Sequence, residues 1–216
     1  IDAKLPPLVR GIAGPAEYGL IVGYDDDGPT FLARTYFDKT DRPTKIDWSA
    51  FADAEHGLVA FLDRGPAPDR NALARDAVRG AVAAAMDTER ALATWLDGLR
   101  DEERWKDTRH AGTAAFADHA MRGIHVDKRR AAARFLRGAR ALFPNAPGAD
   151  LLRAAESYGY SADAATKIGI GPFDGSVAMR FLDVGHRRAW AKQLEAILGH
   201  EREAHGALAA AQGAMR

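Results

Sequence analysis

R-G-P-A-P-D, Arg64–Asp69, separates two stretches of the chain that follow different periods. Two prolines and a glycine in six residues suit neither a helix interior nor a central strand. Upstream, from Leu8 to about Leu62, apolar residues come in short runs broken by Gly, Pro and Asp, the punctuation of strands and turns. Downstream they recur at i, i+3, i+4 and i+7, the period of amphipathic helices. The expected fold class is therefore α+β: a small antiparallel sheet over residues 1–64, a linker over 65–68 and a larger helical bundle region over 69–216.

Outward from that boundary toward the N-terminus, L-V-R-G-I, Y-G-L-I-V-G-Y, T-F-L-A-R-T-Y-F and H-G-L-V-A-F-L are the candidate strands. Asp25, Asp26, Asp27 and Gly28 supply turn residues for an antiparallel hairpin between the second and third. Lys45-Ile46-Asp47-Trp48 reads as a short segment leading to S-A-F. Tyr18, Tyr24, Phe31, Tyr36 and Phe37 alternate on the hairpin, so one of its faces is expected in a core and the other along a cleft. Toward the C-terminus, Asp69 and Asp87 are predicted helix caps. Further helices are predicted over 108–124, 126–143 and 149–168, the last followed by the Gly-rich loop I-G-I-G-P-F-D-G and a long terminal helix carrying Trp190, Leu194, Ile197 and Leu208. The glycine pairs Gly11–Pro15 and Gly169–Pro172 lack the strand and helix context of a phosphate cradle and read as turns.

Composition narrows the function. The chain has 216 residues and is 47% hydrophobic, enough to bury a sizeable core. Thirty basic side chains balance thirty acidic ones, so no global field draws in nucleic acid or an anionic membrane. No apolar run reaches membrane-spanning length, and the cytoplasm is the expected location. With zero cysteines there is neither a disulfide, nor a thiolate metal site, nor a thiol nucleophile in the chain. Ile1-Asp2-Ala3 reads as the tail of a helix, which makes a piece of a longer protein the expectation.

L-V-R-G-I-A-G-P-A-E-Y-G-L-I-V-G-Y-D-D-D-G with R-T-Y-F resembles the second half of the papain-like module of butirosin-type acyltransferases and of many bacterial proteins of unknown function. G-I-H-V-D-K-R-R-A-A-A-R-F-L, G-P-F-D-G and L-E-A-I-L-G-H-E-R-E-A resemble the helical region that follows it there. The resemblance implies a Cys nucleophile on an upstream helix, a His opening a central strand and an orienting acid on the next strand. Glu17 stands where that His would be and Thr35 where the acid would be, while the Cys would lie upstream of Ile1. A carboxylate with an ordinary pKa is a poor base at neutral pH, and Thr35 cannot stabilise a cationic partner. The implied site is therefore one for binding, at the rim formed by Glu17, Tyr18, Arg34 and Tyr36.

H-E-R-E-A-H, His200–His205, is a near miss to a zinc motif: five residues between the histidines place their rings about 140° apart on a helix. No metal site and no cofactor is read from it. Glu201 falls in the apolar stripe of the last helix, and a buried carboxylate needs a partner. Asp127, Arg129 and Arg130 open an apolar helix, and Arg130 with Asp127 is the expected polar network around Glu201. His110, Asp118, Arg122 and His125 can share one helix face, solvated or bonded between helices. The favoured reading is a catalytically degenerate papain-like module that binds a small molecule, a peptide or a partner helix. Its rivals are an amide hydrolase or acyltransferase completed by an upstream Cys, and a homodimerisation unit built on the last helix.

Overall fold

Strict alternation in Y-G-L-I-V-G-Y-D builds the central strand of the sheet. The computed structural model describes residues 5–12, 18–25, 29–36, 38, 40–49, 59–60, 65–168 and 176–215. Glu17, the hairpin tip at 26–28 and the Gly-rich loop at 169–175 lie outside the described residues. Strands β1 (Leu8–Arg10), β2 (Tyr18–Asp25), β3 (Thr30–Thr35), β4 (Thr44–Asp47) and β5 (Val59–Ala60) form one sheet in the order β4-β3-β2-β1-β5. The pairings are antiparallel. Lys45-Ile46-Asp47, read in the sequence as a short segment, is the edge strand beside β3. Its lysine and aspartate suit an edge exposed to water.

Leu20 pairs with Arg34 and Ile21 with Ala33, after which the register shifts so that Gly23 pairs with Leu32. Val22 is the extra residue of this bulge. Val9, Ile12, Ile21 and Ala33 make the buried core of the sheet, with Phe31 and Ile46 packed against it. Gly19 is needed for that packing: a Cβ there would meet Ile12 Cγ2 at 2.6 Å and the carbonyl oxygen of Arg34 at 3.0 Å.

The chain divides into two compact units, Ile1–Ala67 and Pro68–Arg216. The second comprises α1 (Arg70–Ala83), α2 (Ala85–Arg100), a 3-10 turn (Glu102–Lys106), α3 (Thr108–Ala139), a second 3-10 turn (Arg140–Leu142), α4 (Ala146–Thr166), α5 (Ser176–Leu182) and α6 (Val184–Ala214). Asp69 caps α1, its carboxylate accepting from the backbone N–H of Asn71 and Ala72. Asp107 and Asp183 do the same for α3 and α6. Asp87 is not a cap but lies in the first turn of α2, which starts at Ala85.

The helices expected over 108–124 and 126–143 are one helix of 32 residues, α3. Ala111, Ala115, Asp118, Arg122, Val126, Ala133 and Leu136 are buried along it, a stripe that passes Gly123 without change of phase. The apolar core of this unit falls into two clusters. One gathers Leu96, Trp105, Val126, Ala164, Ala165, Trp190 and Ile197, the other Ala133, Leu136, Leu151, Tyr158, Ala204 and Leu208.

Candidate functional site

Between those clusters, each long helix contributes polar groups. On α3, Arg129 lies between Val126 of the first cluster and Ala133 of the second; on α4, Ser161 lies between Ala164 and Tyr158; on α6, Glu201 lies between Ile197 and Ala204. A polar layer thus separates the two apolar clusters. Glu201 is fully buried. Its Oε1 accepts from Arg129 Nε at 2.7 Å and from Ser161 Oγ at 2.7 Å, while its Oε2 is buried with no hydrogen-bond partner. His205 Nε2 is 3.7 Å from that oxygen, and the other ring nitrogen is 3.5 Å from Glu89 Oε1. Hydrogen bonding from Arg202 holds the Glu89 carboxyl below its ordinary range, with His205 adding to the effect.

His125 Nε2 lies 2.8 Å from Ser161 Oγ. A serine and a histidine at this distance suggest a nucleophile and its base, but the order of groups is wrong. The serine proton goes to Glu201, so the imidazole must donate its own N–H to the serine oxygen, and the carboxylate stands on the serine rather than behind the ring. Ser161 has no exposed surface. Burial pushes His125 down to about 4, against the opposing pull of Glu201 and with Arg129 adding to the drop, so the ring is neutral at physiological pH. These groups lock the helices together and do not attack a substrate.

Arg129 reaches from this layer toward the surface. Its guanidinium lies over the Tyr158 ring, 4.7 Å from the centroid, and its side chain is 18% exposed. Both residues line a groove of ≈ 340 Å³ whose other walls are apolar: Ala77, Val78 and Ala81 of α1, Ala132 and Phe135 of α3, and Leu208 of α6. Beyond the bond from Nε to Glu201, the guanidinium makes no hydrogen bond to the described residues, nor does the Tyr158 hydroxyl. Burial, reinforced by the Glu201 charge and opposed by Arg129, pushes that hydroxyl up to about 12, so it stays protonated and able to donate. The groove therefore combines apolar walls with two hydrogen-bond donors at one end, the composition of a small-molecule site.

The residues singled out in the sequence fall in different places. Arg130 is exposed, its Nη2 3.9 Å from Asp163 Oδ1, and Asp127 is also exposed, so the partner of Glu201 is Arg129 and not Arg130. The phase of α3 explains the correction: Arg129 follows Arg122 and Val126 on the buried side, whereas position 130 is turned 100° away. Ser161 and Tyr158, which the sequence reading did not select, occupy buried positions of α4 in phase with Leu151, Ala154 and Ala165. Asp118 and Arg122 form their own buried pair. Trp190 Nε1 donates to Asp118 Oδ1 at 2.7 Å, Arg122 donates to the Ile168 carbonyl at 2.8 Å, and the Arg122 guanidinium lies 3.8 Å from the Trp190 ring centroid. Burial raises the Asp118 carboxyl, with Arg122 opposing. His110 is exposed, with its ring against Trp105, so it belongs to neither network. His200 sits 3.3 Å from Glu203 Oε2, and no group of three or more metal-ligating side chains converges among the described residues.

On the sheet, Tyr18 and Tyr36 are exposed, whereas the Arg34 guanidinium is already engaged. It donates to the backbone carbonyls of Thr40 and Asp41 and lies 3.6 Å from the Asp38 carboxylate, which fastens the β3–β4 connection. Thr35 gives its hydroxyl proton to Asp38 Oδ1 at 2.9 Å. The apolar stripe of α6 is buried inside its own unit: Trp190, Leu194, Ile197 and Leu208 are each at most 1% exposed. Comparison with protein-family models, with curated proteins and with solved structures finds no match to this chain.

Proposed function

We propose that the chain is a binding module whose ligand is a small amphipathic anion, a carboxylate with an apolar tail, held in the α1–α3–α4–α6 groove. The observation that carries this reading is the Arg129 guanidinium at the end of an apolar groove. Its Nε is anchored on buried Glu201, its guanidinium lies over the Tyr158 ring, and the rest of its fork makes no hydrogen bond among the described residues. An arginine held this way is preorganised for a carboxylate, because little side-chain freedom is lost on binding. The reading keeps a papain-like module as the ancestry of the sheet and binding as its mode of action, with no thiol in the chain to support acyl transfer. The sheet rim is the weaker ligand site, since Arg34 already serves the β3–β4 connection.

Calorimetric titration with decanoate, and with decanol as an uncharged control of the same length, tests it. Decanoate is expected to bind, decanol about tenfold more weakly or worse. Ala132→Trp, which fills the groove from α3, is expected to abolish both. Equal affinity for acid and alcohol, or binding unaffected by Ala132→Trp, would remove the groove from consideration.

A further inference from the structure

One exposed flank of α3, bordering grooves shared with α1 and α2, carries a second stripe. Ala117, Met121, Ile124, Lys128, Ala131, Phe135 and Gly138 follow one another at steps of four, three, four, three, four and three, and each is exposed. Met121 is 43%, Ile124 54% and Phe135 45% exposed. Alternating steps of four and three give a repeat of seven, the heptad of a left-handed coiled coil. In heptad terms Met121, Lys128 and Phe135 are a positions, and Ala117, Ile124, Ala131 and Gly138 are d positions.

We infer that α3 pairs with α3 of a second copy of this chain, antiparallel, in a two-fold dimer. The charges flanking the stripe select this partner and one register. A parallel pair would place Lys128 against Lys128 at the seam. Of the antiparallel registers, the one that sets Met121 opposite Gly138, Ile124 opposite Phe135 and Lys128 opposite Ala131 brings Asp127 beside Arg134 of the other copy, twice by symmetry. A shift of one heptad either way brings Asp127 to Asp127 or Arg134 to Arg134. Opposite charges at these flanking positions favour the pairing and like charges oppose it, so the surface is complementary to itself, as a two-fold interface requires. In this register Lys128 of the second copy faces Ala131, which lines the groove described above, and adds a cation at its mouth. The seam shares Ala131 and Phe135 with that groove, so the dimer borders the site.

Because the chain has no cysteine, introduced thiols report this geometry cleanly. Sedimentation equilibrium of the full chain is expected to give a dimer, and Ile124→Glu a monomer of unchanged helicity. Mixed Lys128→Cys and Ala131→Cys chains are expected to oxidise to a disulfide-linked heterodimer, while each variant alone gives little covalent product. Asp127→Arg and Arg134→Asp should each weaken the dimer about tenfold, and the double variant should restore it. A monomeric wild type at about 100 μM, where a dissociation constant ten times lower would already give mostly dimer, overturns the inference. So does efficient self-crosslinking of the Lys128→Cys chain, or a double charge variant no better than the singles.

Discussion

Arg129 and Glu201 show how much rests on a single pair of side chains. Glu201 has no exposed surface, and Arg129 supplies the counter-charge with Ser161 adding a hydrogen bond to the same oxygen. Removing one member of a buried pair leaves the other charged and unpaired, which costs about 3–5 kcal/mol. Arg129→Leu is expected to lose that amount, whereas Arg130→Leu, on an exposed side chain, should change stability by less than about 0.5 kcal/mol. The Arg129→Leu/Glu201→Leu double variant should recover much of the loss, because no lone charge remains. Denaturant melts of these variants check the set, and equal costs at positions 129 and 130 would contradict the pairing. His125 adds a pH dependence of defined sign. Folded, it titrates at about 4; unfolded, at about 6.5. Between those values the unfolded chain binds the additional proton, so the His125 contribution is complete above pH 6.5 and is lost as pH falls toward 4. The loss amounts to about 3 kcal/mol over the full interval. His186, also lowered by burial, pushes the same way. His125→Gln, which keeps a side-chain donor near Ser161, should reduce the stability difference between pH 7.5 and pH 4.5 while leaving the His186 contribution.

At the scale of the element, α3 is where sequence and structure part. The sequence reads as two helices, over 108–124 and 126–143, with a break at His125. The structure runs straight through it. A Cβ at Gly123 would meet nothing within 4 Å, so neither crowding nor a left-handed backbone calls for glycine there. Gly123→Ala is therefore expected to stabilise the protein by about 0.5–1 kcal/mol, read as a rise in melting temperature of about 2–4 °C. A fall instead would place a helix end at that position. The phase of the uncut helix selects position 129, which lies in line with buried Arg122, Val126, Ala133 and Leu136, whereas position 130 is turned away. The elements themselves were legible where burial imposes a period, as in β2, α1 with its Asp69 cap, and α6. They were not where polar residues carry the element. Thr44–Asp47 forms a strand with a single apolar side chain, Ile46, because its backbone pairs with β3, and cross-strand pairing leaves no mark in the strand's own pattern. Ser161 and Tyr158 were hidden for a related reason: a serine and a tyrosine in phase with apolar neighbours look like ordinary core positions until the facing helices supply Glu201 and Arg129.

At the scale of the whole molecule, the helical unit, Pro68–Arg216, holds two apolar clusters of its own. Clusters of that size sustain an independent domain. Gly65–Asp69, between the units, is exposed throughout. Limited proteolysis is therefore expected to cut first between residues 62 and 71, at bonds that the prolines leave susceptible. The 68–216 product should keep its helical circular dichroism and melt cooperatively within a few degrees of the intact chain. The polar layer predicts that this melt is a single transition. Arg129, Ser161 and Glu201 tie α3, α4 and α6 together between the clusters, so one cluster cannot open without exposing an unpaired charge to the other. Arg129→Leu should then broaden or split the transition as well as lower it. A first cut inside Tyr18–Tyr24 would show that the sheet is not formed as described, and a 68–216 fragment that loses its helicity on release would show that the helical unit depends on the sheet for its fold.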